Sequence, residues 1–196
     1  SIEAGRASDL DVVKAGTFLV TACRNDAGKL LLISWRVASN GAVTRAIEGV
    51  SAGEARLIRL TALSSNLLVT ACQDGSGNLL LISWRVGTNG SITRLSDSGN
   101  SAKEISDLEM IKTSNGRVVT AARAGSKRLL LISWEITAAN GNIRRLVDSG
   151  NQAGELDVTG TGPAPVLPTG IAAALDNLGR VAVSVRAADG RLKLIL

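Results

Sequence analysis

The hexapeptide LLLISW occurs three times, at residues 30–35, 79–84 and 129–134, and a degraded copy, LKLIL, ends the chain at 192–196. The steps between copies are 49 and 50 residues, then 63 from Ile132 to Ile195. Self-similarity at a fixed period of this size marks a repeat architecture, in which each unit buries its apolar face against its neighbour. The copies therefore separate scaffold positions, which recur, from positions free to differ.

One unit, residues 105–147, shows the local pattern. ISDLEMI is followed by the polar turn Thr113-Ser114-Asn115-Gly116, then RVVTAAR, an Ala-Gly-Ser-Lys turn, LLLISWEI, the turn Asn140-Gly141, and NIRRLV. Four strand-length segments separated by turn residues predict a β-meander. Asn-Gly, whose residues accept positive φ, recurs at Asn40-Gly41, Asn89-Gly90 and Asn140-Gly141. LLLIS is apolar at successive positions rather than alternate ones, so both faces of that strand should be covered. No window keeps a 3.6-residue period over three turns, which excludes a helical solenoid.

Aligned copies bring together Thr21, Thr70 and Thr120, and likewise Trp35, Trp84 and Trp134. Arg24, Gln73, Arg123 and Arg186 share the end of the second strand. Ser8-Asp9-Leu10 matches Ser106-Asp107-Leu108, and Leu196 ends a third strand, so the fourth unit lacks its outermost strand. Ser1-Ile2-Glu3 is expected to supply it and close a ring, the alternative being that the chain is part of a longer propeller; an open edge would invite aggregation or pairing with another copy. The expected fold is one all-β domain over residues 1–196. Its four antiparallel meander blades are units 1–47, 48–96, 97–147 and 148–196.

Doubly covered meanders in tandem resemble the blades of β-propellers, and the count of four resembles the small four-bladed kind of hemopexin-type domains. The resemblance spans the chain but is architectural. Hemopexin-type repeats are richer in aromatics, and neither the WD40 nor the kelch signature is present. No residue role carries over.

Composition narrows the chemistry. Histidine and tyrosine are absent, and one Phe and three Trp are the only aromatics. The commonest general base and imidazole ligand are thereby removed. A net charge of +5 is spread through the repeats without basic runs or interleaved aromatics, which argues for solubility rather than nucleic-acid binding. No apolar run reaches about 18 residues, so no membrane-spanning helix is expected. The compartment stays open, secretion included. Cys23 and Cys72 recur at one position of successive units, beyond disulfide reach, and read as free buried thiols.

Candidate site residues lie where the second-to-third-strand turns and the links between units share one face of a propeller. They are Arg24, Asp26, Gln73, Asp74, Arg123, Arg186 and Asp189, with the recurring Asp26, Asp74 and Asp189 read as structural. Trp35, Trp84 and Trp134 join them as a sugar-stacking edge, although packing with the indole N–H on a backbone carbonyl is the favoured role. The stretch 156–169 holds all three prolines and the thirteen residues added to the last step. It reads as a linker or plug, with a loop shaping a binding surface as the alternative. Asp97-Ser98-Gly99-Asn100 and Asp148-Ser149-Gly150-Asn151 each precede a Glu (Glu104, Glu155). They read as Asx turns rather than calcium loops. No metal set, cofactor motif or nucleophile elbow is found. The expected function is non-enzymatic and lectin-like, with glycans as ligands. A protein-interaction or structural scaffold is the alternative, and a hydrolase ranks last.

Overall fold

The computed structural model describes residues 5–99, 102, 104–113, 116–125, 128–149, 171–176, 178, 180–186 and 192–195. Of Glu48, Arg186, Lys193 and Ile195 it describes the backbone alone. The anticipated closing strand at 1–3, the proline-containing stretch 156–169 and Asp189 lie outside these residues.

The described chain is all-β and wholly antiparallel. Sheet 1 runs β1 (Ala7–Ala15), β2 (Phe18–Asn25), β3 (Lys29–Val37) and the first half of β4 (Val43–Ala62). Sheet 2 takes the second half of β4, then β5 (Leu67–Asp74), β6 (Leu79–Val86) and β7 (Ile92–Asp97). Sheet 3 is β8 (Asp107–Lys112), β9 (Arg117–Arg123), β10 (Leu129–Ile136) and β11 (Ile143–Asp148). Sheet 4 comprises β12 (Ile171–Leu175), β13 (Val181–Arg186) and β14 (Leu192–Ile195). Each is a meander, and the register repeats: Thr21, Thr70 and Thr120 stand opposite Ile33, Ile82 and Ile132.

β4 departs from the sequence expectation. Val50 pairs back to Leu32 while Leu60 pairs forward to Thr70, so one 20-residue strand closes sheet 1 and opens sheet 2. The expected boundary at residue 47 falls inside it. The cause is local: this link carries Ile47 and Val50 in extended geometry, where the next one carries the Asp97-Ser98-Gly99 turn.

The sheets stack face to face. β6 explains why a continuous apolar run was needed: Ile82, Trp84 and Val86 pack into the core shared with sheet 1, while Leu79 and Leu81 pack into the core shared with sheet 3. Leu129 of β10 and Ile171, Val183 and Val185 form the third seam. The first strands run in series, β1 beside β4, β4 beside β8, and β8 beside β12.

Polar clasps repeat along the seams. The serine of LLLISW donates to the Asn-Gly turn of the following sheet, Ser34 Oγ to the Gly90 carbonyl and Ser83 Oγ to the Gly141 carbonyl, each 2.6 Å. The Ala55 N–H donates to the Gly28 carbonyl at 3.0 Å, and Ile105 N–H to Gly77 at 2.9 Å. Arg59 on β4 also pairs with Glu109 on β8 at 2.8 Å. Cys23 and Cys72 are free and buried, and burial pushes the Cys72 thiol up to about 12.

Candidate functional site

A polar cleft of about 510 Å³ opens where sheets 1 and 2 meet at their turn end. Arg24, Asp26, Glu54, Arg56, Gln73 and Asp74 line it. The clasp from Ala55 to Gly28 forms its floor, because it pins the β2–β3 turn to the middle of β4. Four of the residues singled out from the sequence thus meet in one place: Arg24, Asp26, Gln73 and Asp74.

Their roles differ. Asp74 is committed to its turn, with Oδ1 accepting the Ser76 N–H at 2.9 Å and the Asn78 N–H at 2.8 Å. Asn25 does the same work in sheet 1, accepting the Lys29 N–H at 2.9 Å, and Gly28 and Gly77 both hold positive φ. Asn25, not Asp26, is therefore the counterpart of Asp74. Asp26 stands where sheets 2 and 3 carry Gly75 and Gly125, so it is an exposed carboxylate peculiar to this turn.

Glu54 and Arg56 were missed in the sequence, although Glu54 occupies the position of Glu104 and was open to the same comparison. Both are exposed on β4. Glu54 folds over Gly75, where a Cβ would come within 2.8 Å of its carboxylate. The half-buried Arg24 differs from its repeat partner. Gln73 Nε2 donates to the Ile105 carbonyl of the next link, whereas Arg24 Nε is buried with no hydrogen-bond partner.

The other expected residues lie elsewhere. Arg123 Nε donates to Ser106 Oγ at 2.7 Å in sheet 3. Arg186 ends β13, its side chain outside the description. Trp84 and Trp134 are buried, so neither offers a stacking face to a sugar, and Trp35 is half-buried. Their indole N–H groups donate to a threonine hydroxyl rather than to the expected backbone carbonyl. Trp84 reaches Thr70 at 3.0 Å, Trp134 reaches Thr120 at 2.9 Å, and Trp35 reaches Thr21. Asp97 accepts the Gly99 N–H and pairs with Arg94, which is turn chemistry.

In sheet 3, away from the cleft lining, Asp107 on β8 is 4% exposed. Burial raises its carboxyl to about 6, against the opposing pull of the Leu108 N–H, Arg123 and Arg59.

The described residues form stacked, all-β antiparallel sheets, and the solved structures the chain is similar to are all-β, propeller-type folds. The solved structures it is similar to include three that cover most of the chain. A protein from Lactobacillus plantarum matches at 16% identity and TM-score 0.56, over 95% of this chain and 55% of its own. A Bacteroides uniformis protein with a provisional 6-phosphogluconolactonase assignment matches at 11% and 0.60, over 93% and 48%. The periplasmic gluconolactonase of Pseudomonas aeruginosa matches at 14% and 0.60, over 94% and 52%. The chain spans about half the length of each. At such identities the likeness is one of fold. No protein-family model matches the sequence, and comparison with curated proteins finds no match.

These neighbours correct the functional expectation. A non-enzymatic, lectin-like module with repeat-equivalent loop sites was anticipated, and a hydrolase ranked last for want of histidine and a convergent acid pair, yet two of the three neighbours are named as lactonases. With Trp84 and Trp134 withdrawn into the core as well, the sugar-stacking reading loses its main residues.

Proposed function

We propose that the chain is a propeller-type hydrolase of small polar esters, of the lactone class, working from the cleft between sheets 1 and 2. In the same reading its four meanders are propeller blades, the repeat units 1–47, 48–96, 97–147 and 148–196 forming one domain. The observation that carries the functional reading is the lining of one cleft by the carboxylates of Asp26 and Glu54 and the guanidinium groups of Arg24 and Arg56. The lactonase neighbours support the reaction class.

The chemistry needs no histidine. A carboxylate takes a proton from water as its oxygen adds to the ester carbonyl carbon. Negative charge then builds on the former carbonyl oxygen, where guanidinium N–H donors stabilise it. When the ring C–O bond breaks, the protonated carboxyl returns its proton to the departing alkoxide, leaving a hydroxy acid. Glu54, seated over Gly75, is assigned the base, and Arg24 and Arg56 the oxyanion donors.

Acid release from δ-gluconolactone, followed in a pH-stat against the uncatalysed rate, tests this. Glu54→Gln should lower kcat by about 10²-fold or more. Arg56→Ala should lower it by about 10²-fold. A wild-type protein that hydrolyses neither this lactone nor other small lactones faster than buffer does would overturn the reading.

A further inference from the structure

The net charge of +5 has no basic run behind it in the sequence, yet the fold collects it on one face. Each meander sends its middle turn and its links to the cleft end, and its other two turns to the opposite end. Contacts between sheets hold those opposite ends side by side. A Cβ on Gly16 would lie 3.1 Å from the Ser65 carbonyl oxygen, which places sheet 1 beside sheet 2. Lys112 Nζ donates to the Ala62 and Leu63 carbonyls at 3.1 and 2.9 Å, and Arg85 donates to the Ala139 carbonyl at 2.8 Å, so sheets 2 and 3 meet there twice.

In these turns and the two strand residues flanking them, sheets 1 to 3 carry six cations, Lys14, Arg36, Arg85, Lys112, Arg117 and Arg144. They carry one carboxylate, Glu135. In sheet 4, Asp176 and Arg180 pair at 2.6 Å and cancel. Six less one is five, the whole net charge of the chain, so the remaining ionisable residues balance. Little of the excess is neutralised locally. Arg85 and Lys112 meet uncharged carbonyls and keep their full charge. Glu135 lies between Arg117 and Arg144, 3.7 and 2.6 Å away, and offsets one of the two. Arg94 and Arg145, one residue further along their strands, reach the other way to Asp97 and Asp148.

We infer that this face docks on the surface of an anionic lipid bilayer. Its cations stand on the turn ends of three adjacent sheets, spread across a face, and so meet a plane of charge. It offers no aromatic side chain on which a nucleobase could stack. Phe18 is 4% exposed with the Arg36 guanidinium 5.5 Å from its ring centroid, and the tryptophans are buried or half-buried. Leu178, 72% exposed, stands in the sheet 4 turn of the same face, an apolar side chain free to enter the headgroup boundary. The cleft opens at the other end and stays accessible. The docking stands apart from the lactonase reading, because it is read by vesicle binding and not by turnover.

Flotation with vesicles of phosphatidylcholine, with and without phosphatidylserine, tests this. The wild type should float only with the phosphatidylserine vesicles at low salt, and raising the salt to about 1 M should release it. Lys14→Gln and Arg36→Gln should each weaken binding about fivefold, the share of one basic residue near an anionic surface. Lys29→Gln removes the same charge from the cleft end and should change binding by less than about twofold, because salt screens it at that distance. Leu178→Asp should weaken binding as well. All four side chains are exposed, and unchanged strand circular dichroism will show each variant folded. Four results would each overturn the inference: no binding to either vesicle, equal binding to both, equal losses for Lys29→Gln and Lys14→Gln, or tighter binding to duplex DNA than to vesicles at equal phosphate. The last would assign the face to nucleic acid.

Discussion

Replacing Thr70 by valine exchanges one hydroxyl for a methyl at nearly constant volume, and the structure says what that hydroxyl does. It accepts the Trp84 indole N–H at 3.0 Å and lies 3.4 Å from the Ile82 carbonyl. Both Thr70 and Trp84 are 0% exposed, so no water takes its place. Stranding a buried donor costs about 1–3 kcal/mol, more than the net value of an ordinary hydrogen bond. Thr21 makes the same bond to Trp35, but both are half-buried at the open face of sheet 1, where solvent reaches the indole. Thr21→Val should cost no more than about 1 kcal/mol. Thr120→Val, beneath the buried Trp134, should behave as Thr70→Val does.

The assay is urea unfolding followed by circular dichroism. An unchanged m-value would confirm that native and unfolded surfaces are comparable. Trp84→Phe combined with Thr70→Val removes both partners, and the pair should cost less than the sum of the single losses. Equal losses at residues 21, 70 and 120, or a loss below about 0.5 kcal/mol at Thr70, would refute the idea that a stranded indole sets the cost.

Two further predictions concern the turn and the inner strand. Gly141→Ala should destabilise by more than Gly41→Ala: both hold positive φ, worth about 1–2 kcal/mol to an L-residue. A Cβ at Gly141 would also lie 2.7 Å from Leu95 Cβ and from Ser83 Oγ, whereas one at Gly41 meets nothing within 4 Å; thermal unfolding of the two variants separates the terms. Asp107, raised to about 6 from 3.8 by burial, keeps its proton in the fold between roughly pH 4 and 6 while the unfolded chain sheds it. Its contribution is therefore intact below about pH 4 and lost as pH rises through 6, at most about 3 kcal/mol by pH 7. Asp107→Asn should recover much of that and flatten urea stability across the window, and a wild type whose stability rises from pH 4 to 6 as steeply as the variant's would contradict the assignment.

The meanders were legible because their determinants are local and repeated: Asn-Gly turns, a β-branched second strand and a third strand apolar on both faces. The continuity of β4 was not, since it depends on the absence of a turn signal at 47–54 and on pairing with two different strands. The threonine partner of each tryptophan was encoded in a constant separation, Thr21 to Trp35, Thr70 to Trp84 and Thr120 to Trp134. That separation acquires meaning only once the register places the two residues on one face of neighbouring strands. Four of the six polar lining residues, Arg24, Asp26, Gln73 and Asp74, were visible from the shared face of turns and links. The other two, Glu54 and Arg56, lie in the link just past the expected unit boundary at residue 47, which was not compared with its counterparts.

Perfect repetition and a catalytic cleft pull in opposite directions. A position that recurs in every sheet serves the seam, as the serine and tryptophan of LLLISW do, and it produces the same chemistry at each junction. An asymmetric arrangement of base and oxyanion donors needs the copies to diverge. The junction of sheets 1 and 2 is where they do: Asp26 stands in place of Gly75 and Gly125, and Arg56 in place of Ser8 and Ser106, while Arg24 is shared with Arg123 and Arg186 and Glu54 with Glu104. Each change adds a charge on the open side of the Ala55–Gly28 clasp and leaves the clasp itself intact. The repeat is thus informative about function chiefly through its departures, and in this junction two of them fall within one cleft.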